Sequence, residues 1–501
     1  MQPGRAPVTI LDCLDDPAIF GGVFTPRDSW AAWRAALAAI FGLPMTPEEL
    51  AGYQACTGRT VAPTTQAREA WIIAGRRAGK SRVAAAIAVY LACFRDYSAV
   101  LAAGEVGTLM VLAADRRQAR TLFRYIKGLL ELPLLAGLMV GKPKLDRIVL
   151  RNRVEIEIHT ASYTSVRGYS VVAAVLDEAA FWHSEDSANP DTEVVNAIRP
   201  GMATVPGALL IGISSPYARR GAVWDAYRRH FGKDGDPVLV WKAATQILNP
   251  LVDERVIAEA YEADEAAARA EYGGEFRADL ESFIDPAVVA QLVPTGRSSQ
   301  PPSVHVRRYV SFADPAGGSG SDSMTLAVAH YDTRTGRAIL DQLCEVRPPF
   351  SPEAVVEDFA AVLKRYGIRT VIGDRFGGLW PAERFRVHGI GYDPSEKPKS
   401  VIYAETLPLL NSRGVELLDD RRLVAQLVGL ERRTAWGGRD SIDHAPGGHD
   451  DVVNAALGAV LLAAGQRGPR LRPFGSSTER PTITPAHPTP LPSESPLRRR
   501  F

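Results

Sequence analysis

Short apolar runs alternate with stretches of helical spacing between residues 70 and 215. Residues 71–74, 108–113, 154–159, 171–176 and 208–213 have strand length, and the segments between them carry helical periodicity. That alternation predicts a mostly parallel sheet covered by helices. A second alternating region begins at Val306. Residues 307–313, 324–331, 337–345 and 370–373 predict strands, and 352–366 predicts an amphipathic helix. Upstream, residues 30–40 have helical spacing. Thr46 is predicted to cap a further helix that has Pro47 at its first position. Residues 252–279, rich in alanine and glutamate, predict helix. Residues 293–303, with three prolines and three serines, predict a linker.

Composition narrows the class. A chain of 501 residues is long enough for about two to four domains. Its 46% hydrophobic and 23% charged content is that of a globular protein. The net charge of +1, from 58 basic and 57 acidic residues, gives no bulk signature of a polyanion partner, so any basic surface is local. Cys13, Cys56, Cys93 and Cys344 are scattered with no CxxC pair, which predicts free thiols in a reducing compartment. No charged and apolar leader pattern opens the chain, which predicts that it is not secreted. The most apolar stretches, 83–92 and 455–464, are too short for membrane spans. Residues 468–501 hold eight prolines and end in Arg498, Arg499, Arg500 and Phe501. Such a tail cannot bury enough apolar surface to fold alone. There is no internal repeat.

Two patterns carry chemistry. The strand at 71–74 runs into Gly75-Arg76-Arg77-Ala78-Gly79-Lys80-Ser81, and a helical segment follows. Successive backbone N–H groups at a helix start suit the phosphates of ATP. Lys80 would reach the terminal phosphates, and Ser81 would offer a hydroxyl to Mg2+. The strict motif has glycine where Ala74 stands. The apolar run 171–176 ends in Asp177-Glu178, where a magnesium-holding carboxylate and a water-polarising one belong. A further strand ends in Ser214-Ser215-Pro216. It reads either as an ordinary turn or as hydroxyls placed to sense the nucleotide.

The second pattern is acidic. Asp314 and Asp374 each end a predicted strand, and Asp450-Asp451 open a predicted helix at 452–464. Gathered carboxylates repel one another unless divalent cations lie between them. Two Mg2+ or Mn2+ ions about 4 Å apart can activate water and stabilise the leaving oxygen in phosphodiester cleavage. The order of the three positions is that of an RNase H-like fold. Asp450 also suits an N-cap. His444 and His449 either approach the site or merely pack.

The chain resembles the large terminase subunit of tailed bacteriophages from about residue 40 to 465. The resemblance rests on the phosphate loop, Val175-Leu176-Asp177-Glu178-Ala179-Ala180-Phe181-Trp182, Ile213-Ser214-Ser215-Pro216, residues 271–277, and Gly448-His449-Asp450-Asp451-Val452-Val453-Asn454. It implies an α/β architecture: an N-terminal P-loop ATPase with a mostly parallel sheet, then a C-terminal RNase H-like nuclease. The expected division is 1–65 helical lead-in, 66–290 ATPase, 291–304 linker, 305–467 nuclease and 468–501 tail. Arg76 would act on the γ-phosphate in cis, Arg167 on a neighbouring subunit's ATP, and Ser214 and Ser215 would couple hydrolysis to motion. Asp314 and Asp374 match the first two metal ligands. The third is Asp450 or Asp451, with Asp451 favoured. Asn454 stands where an aspartate is often found. The implied partners are double-stranded DNA, a portal or procapsid, a small terminase subunit and further copies in a ring, in the cytoplasm of a bacterial host and without membrane contact. A stand-alone translocase- or helicase-nuclease of repair or defence needs the same two sites. A decayed P-loop scaffold would have lost them.

Overall fold

The apolar runs of the first half form one seven-stranded sheet in the computed structural model, which describes residues 7–162, 165–182, 187, 190–375, 378–434 and 440–466. Its strands are β1 (Glu69–Ala74), β2 (Gly107–Ala113), β3 (Arg147–Val149), β4 (Val154–Thr160), β5 (Ser170–Asp177), β6 (Leu209–Ser214) and β7 (Val238–Ala243). Their spatial order is β3-β4-β2-β5-β6-β1-β7, and all neighbours are parallel except β3 and β4. β1, β2 and β6 are buried along their whole length. Helices cover both faces, as parallel strands require. The sequence pattern did not single out β3 or β7.

The N-terminal segment belongs to this unit. Thr46 and Glu49 form a reciprocal capping box on the helix Pro47–Thr57, as the spacing predicts. Ile10, Phe20, Trp33 and Ile40 are buried in the same core as the sheet. The helix expected over 252–279 is a correction: there are two, Glu254–Ala263 and Glu265–Glu271. Asp264 breaks the run by accepting from the N–H of Ala267, and the chain then leaves the helix at Tyr272-Gly273-Gly274.

Beyond β8 (Leu280–Ser282) comes a six-stranded sheet of β9 (Tyr309–Asp314), β10 (Met324–Asp332), β11 (Arg337–Val346), β12 (Thr370–Gly373), β13 (Gly391–Pro394) and β14 (Val415–Glu416). Its order is β13-β12-β9-β10-β11-β14. β9, β10 and β11 form an antiparallel meander, and β12 runs parallel to β9. Alternate residues face opposite cores: Leu326 and Val328 pack with the helix Pro352–Arg365, while Ala327 and Ala329 pack with the helix Asp451–Ala464. Gly458 makes the second contact possible, since a Cβ there would lie 2.4 Å from the ring of Phe312.

The hairpin of β15 (Leu430–Thr434) and β16 (Asp440–His444) pairs antiparallel with β8. Phe283, Ile284, Val289 and Leu292 join the second core. The segment 293–303 is tied to the same unit: Gln300 donates to the carbonyl of Asp341, and Gly296 to the carboxylate of Asp419. The Pro-rich tail and its three arginines lie outside the described residues. No helix among the described residues is long and apolar enough to cross a membrane.

Candidate functional site

Strand order builds the first site. In a parallel sheet all carboxyl ends share one edge, and β6 lies between β1 and β5. Ser214-Ser215 therefore falls between the phosphate loop and Asp177-Glu178. Lys80 is 7% exposed. Its Nζ donates to the carbonyls of Ala74 (2.8 Å) and Gly75 (3.1 Å) and to Ser215 Oγ (2.8 Å), and lies 3.3 Å from the Glu178 carboxylate. That carboxylate accepts from the Ser215 N–H at 2.8 Å and from Ser214 Oγ at 3.3 Å. Glu178 has φ 50°, a left-handed conformation that costs a non-glycine residue about 1 kcal/mol or more unless its contacts hold it.

Electrostatics follow from burial. Burial lowers the Lys80 amine, with Glu178 and Asp177 opposing the shift. Burial pushes the Asp177 carboxyl up to about 7, with Glu178 adding to the rise and Lys80 opposing it. A divalent cation would reverse that shift, which suits Asp177 to holding one.

The loop is pinned from outside. Thr245 Oγ1, Asn249 Nδ2 and Trp33 Nε1 donate to the carbonyls of Arg76, Arg77 and Ala78 at 2.9, 2.7 and 2.8 Å. These bonds turn three oxygens away from any incoming anion. Gly75 is required, because a Cβ would lie 2.2 Å from Thr245 Oγ1. Gly79 has φ 92° and starts the helix Lys80–Phe94. Ala74, by contrast, is the last residue of β1 and needs no such freedom.

A cavity of about 690 Å³ opens here, walled by Arg76 to Ser81, Glu178, Trp30, Tyr125 and Leu251 among others. Its size and its mix of cationic and apolar walls suit a nucleotide. Arg76 lines it, with its guanidinium 3.1 Å from Glu271. Arg167 does not line it, and lies on an exposed turn after β4. Trp30 was legible only as part of a helix, and nothing in its spacing pointed to this wall.

The second site forms where β9 and β12 run side by side. Asp314 ends β9 and Asp374 follows β12, with Gly373 in register with Ala313. The helix Asp451–Ala464 lies over these strand ends. Asn454 Nδ2 donates to both carboxylates, at 2.9 Å to Asp314 and 3.3 Å to Asp374. Asn454 is 1% exposed, and its Oδ1 has no hydrogen-bond partner among the described residues. Asp451 accepts from the Ser323 N–H at 2.8 Å. Asp314, Asp322, Asp374, His449, Asp450 and Asp451 all line one cavity of about 350 Å³. Burial drives the Asp314 carboxyl well above its ordinary range. Asn454 opposes that rise, and the neighbouring aspartates add to it. Burial likewise lifts Asp451 to about 6. Buried, mutually repelling oxygen ligands beside an unpartnered amide oxygen fit hard divalent cations such as Mg2+ or Mn2+.

Asp450 and Asp451 differ sharply. Asp450 provides no side-chain cap to its helix. Its carboxylate is taken by Lys399 Nζ at 3.0 Å and Tyr403 Oη at 3.0 Å. Lys399 also binds Asp443 at 2.7 Å, so a fixed cation already neutralises Asp450. Asp451 stands with Asp322 and His449, close enough for all three to share one ion; Asp450 stands equally close to Asp443 and His444, but there Lys399 already occupies both carboxylates. His444 and His449 both line the cavity, and His444 Nδ1 lies 2.9 Å from the carbonyl of Ala445. Asp322, Asn454 and Lys399 were missed as participants. No motif marks Lys399, and it arrives from the helix Lys399–Asn411.

Neither a family model nor a curated protein sequence matches the chain. Solved structures do. The large terminase of bacteriophage HK97 matches at 16% identity and TM-score 0.37, over 86% of this chain and 99% of that one. The large terminase of a thermophilic bacteriophage matches at 13% and 0.37, over 83% and 98%. The large terminase nuclease of the thermophilic phage G20c matches at 20% and 0.30, over 36% of this chain and 96% of that one. Likeness at this level carries no assignment by itself.

Proposed function

We propose that this chain is the large subunit of a viral DNA-packaging motor. It hydrolyses ATP to drive double-stranded DNA into a procapsid and cuts concatemeric DNA with a metal-dependent endonuclease. The observation that carries the reading is the cluster of Lys80, Glu178 and Ser215 at the carboxyl edge of the first sheet. The acidic cavity on the second sheet supports the nuclease part.

In this reading Lys80 leaves its protein partners to bind the terminal phosphates. Ser81 and Asp177 would hold Mg2+, and Glu178 would accept a hydrogen bond from an attacking water and so polarise it. Ser214 and Ser215 touch both Glu178 and Lys80, so a change at the phosphates reaches β6 directly. Arg76 serves the γ-phosphate in cis, and Arg167 that of a neighbouring copy in a ring. In the nuclease, Asp314, Asp374 and Asp451 hold two Mg2+ or Mn2+ ions, which supply a metal-activated water and stabilise the leaving oxygen. Asp450 positions the helix start through Lys399 and Tyr403. The divisions at 66–290 and 305–467 stand as part of the proposal, with Phe283 to Leu292 packing in the nuclease core and Leu280 against Tyr217 and Ala218. A portal, a small subunit and the cytoplasm of a bacterial host complete it.

The test is a packaging assay with purified procapsids. The reading expects ATP-dependent protection of duplex DNA from added nuclease, lost in Glu178→Gln. ATP-driven translocation on free DNA with no response to procapsids would favour a stand-alone translocase-nuclease.

A further inference from the structure

The helix Arg116–Leu130 divides cleanly into two faces. Ala119, Leu122, Phe123, Ile126, Leu129 and Leu130 are buried against the first sheet. The opposite face carries Arg116, Arg117, Arg120, Arg124 and Lys127, and the four arginines are exposed. Residues 116–153 hold ten basic side chains and only two acidic ones, Glu131 and Asp146, in a chain whose net charge is +1. The positive charge that the whole composition hides is concentrated here.

Two observations separate this face from an ordinary solvated one. Arg116 and Arg117 occupy the first helical turn, where the helix dipole disfavours cations; the N-cap Asp115 spends its carboxylate on the N–H groups of Arg117 and Gln118 and, among the described residues, pairs with neither guanidinium. Among the described residues, the side chains of Arg116, Arg117 and Arg120 make no ion pair, so their charge is available to a partner. The five cations span about 16 Å along the axis, or roughly five base pairs of one DNA strand. A membrane partner does not fit, because the apolar face is already buried in the protein core.

We propose that this face binds the phosphate backbone of duplex DNA. The inference rests on the packaging reading and goes beyond it by assigning the DNA-contacting surface. Thr121 and Tyr125 of the same helix line the nucleotide cavity. DNA held on one flank of the helix therefore bears on a wall of the ATP site, which links DNA occupancy to turnover.

The test uses the full chain and a 30-base-pair duplex, with affinity measured by fluorescence anisotropy across a salt series. Replacing Arg116, Arg117 and Arg120 together by glutamine should weaken binding at least tenfold. It should also reduce the log–log salt slope by about 2.7, close to one per lost charge. The triple lysine variant should retain the slope. Basal ATP turnover without DNA should be unchanged in both, and duplex-stimulated turnover should be lost only in the glutamine variant. Wild-type affinity and slope in the glutamine variant would overturn the inference while leaving the motor reading intact. Absence of duplex binding by the wild type would overturn both. Arginine-dependent binding of poly-glutamate without duplex binding would assign the face to an acidic protein and reject the DNA proposal.

Discussion

Arg220 Nη2 lies 2.7 Å from Glu431, joining the loop after β6 to the first strand of the hairpin on the second unit. Glu431 is 1% exposed and also accepts from Tyr217 Oη at 2.9 Å. Tyr217 and Arg220 follow Ser215 by two and five residues. In the proposed motor, a shift of β6 would be carried through Tyr217 and Arg220 to this buried carboxylate.

Glu431→Gln should keep the shape and remove the charge. Arg220 is partly exposed, so the loss is smaller than for a fully buried pair, about 1–3 kcal/mol. Chemical denaturation should show that destabilisation. DNA cutting should also lose any dependence on bound nucleotide, while ATP turnover persists. Unaltered nucleotide dependence would remove Glu431 from the coupling path.

Glu178→Gln and Asp177→Asn should separate two roles. The first should bind ATP with affinity close to wild type and hydrolyse it at least a hundredfold more slowly, since the water-polarising charge is lost. The second should weaken the magnesium-dependent part of binding. Asp177 also gives a pH signature without nucleotide. Its carboxyl titrates near 4 in the unfolded chain and is pushed up to about 7 when folded. Wild-type stability should therefore fall as pH rises between those values, by on the order of a few kcal/mol. Asp177→Asn should reduce that fall, leaving the part due to Asp314 and Asp451, which thermal unfolding from pH 4.5 to 8 would detect.

Asp450→Asn and Asp451→Asn should behave oppositely in stability. Asp450 is paired with Lys399 and Tyr403, so losing its charge breaks a half-buried ion pair, although Lys399 keeps Asp443, and should lower the melting temperature modestly. Burial lifts the Asp451 carboxyl to about 6, with Asp322 and Asp450 adding to the rise and the Ser323 N–H and His449 opposing it. Neutralising it should leave the metal-free protein as stable or slightly more so, while cleavage falls by orders of magnitude. Calorimetry in chelator together with plasmid nicking in Mg2+ would check both.

Much of this was legible before the fold was known. The apolar runs located β1, β2, β4, β5, β6 and β9 to β12 to within about two residues, with the carboxylates at their ends, but not the short or edge strands β3, β7, β13 and β14. Adjacency was not legible. The sequence places Ser214 more than thirty residues after Glu178, and only the insertion of β6 between β5 and β1 makes them touch. Asn454 was read as the loss of an aspartate. It instead bridges Asp314 and Asp374, a role that needs the helix to lie close over β9 through Gly458. Lys399 and Glu431 belong to no motif, and their parts come from long-range packing that periodicity cannot encode.

The central claim is that one chain carries two chemically separate sites. Lys80→Ala and Asp374→Asn, each in the full-length protein, should be assayed for ATP turnover and for duplex cutting in Mg2+. The account predicts that Lys80→Ala loses turnover but still cuts DNA, and that Asp374→Asn loses cutting but still hydrolyses ATP. Retention of both activities by either variant, or loss of both by each, would contradict it.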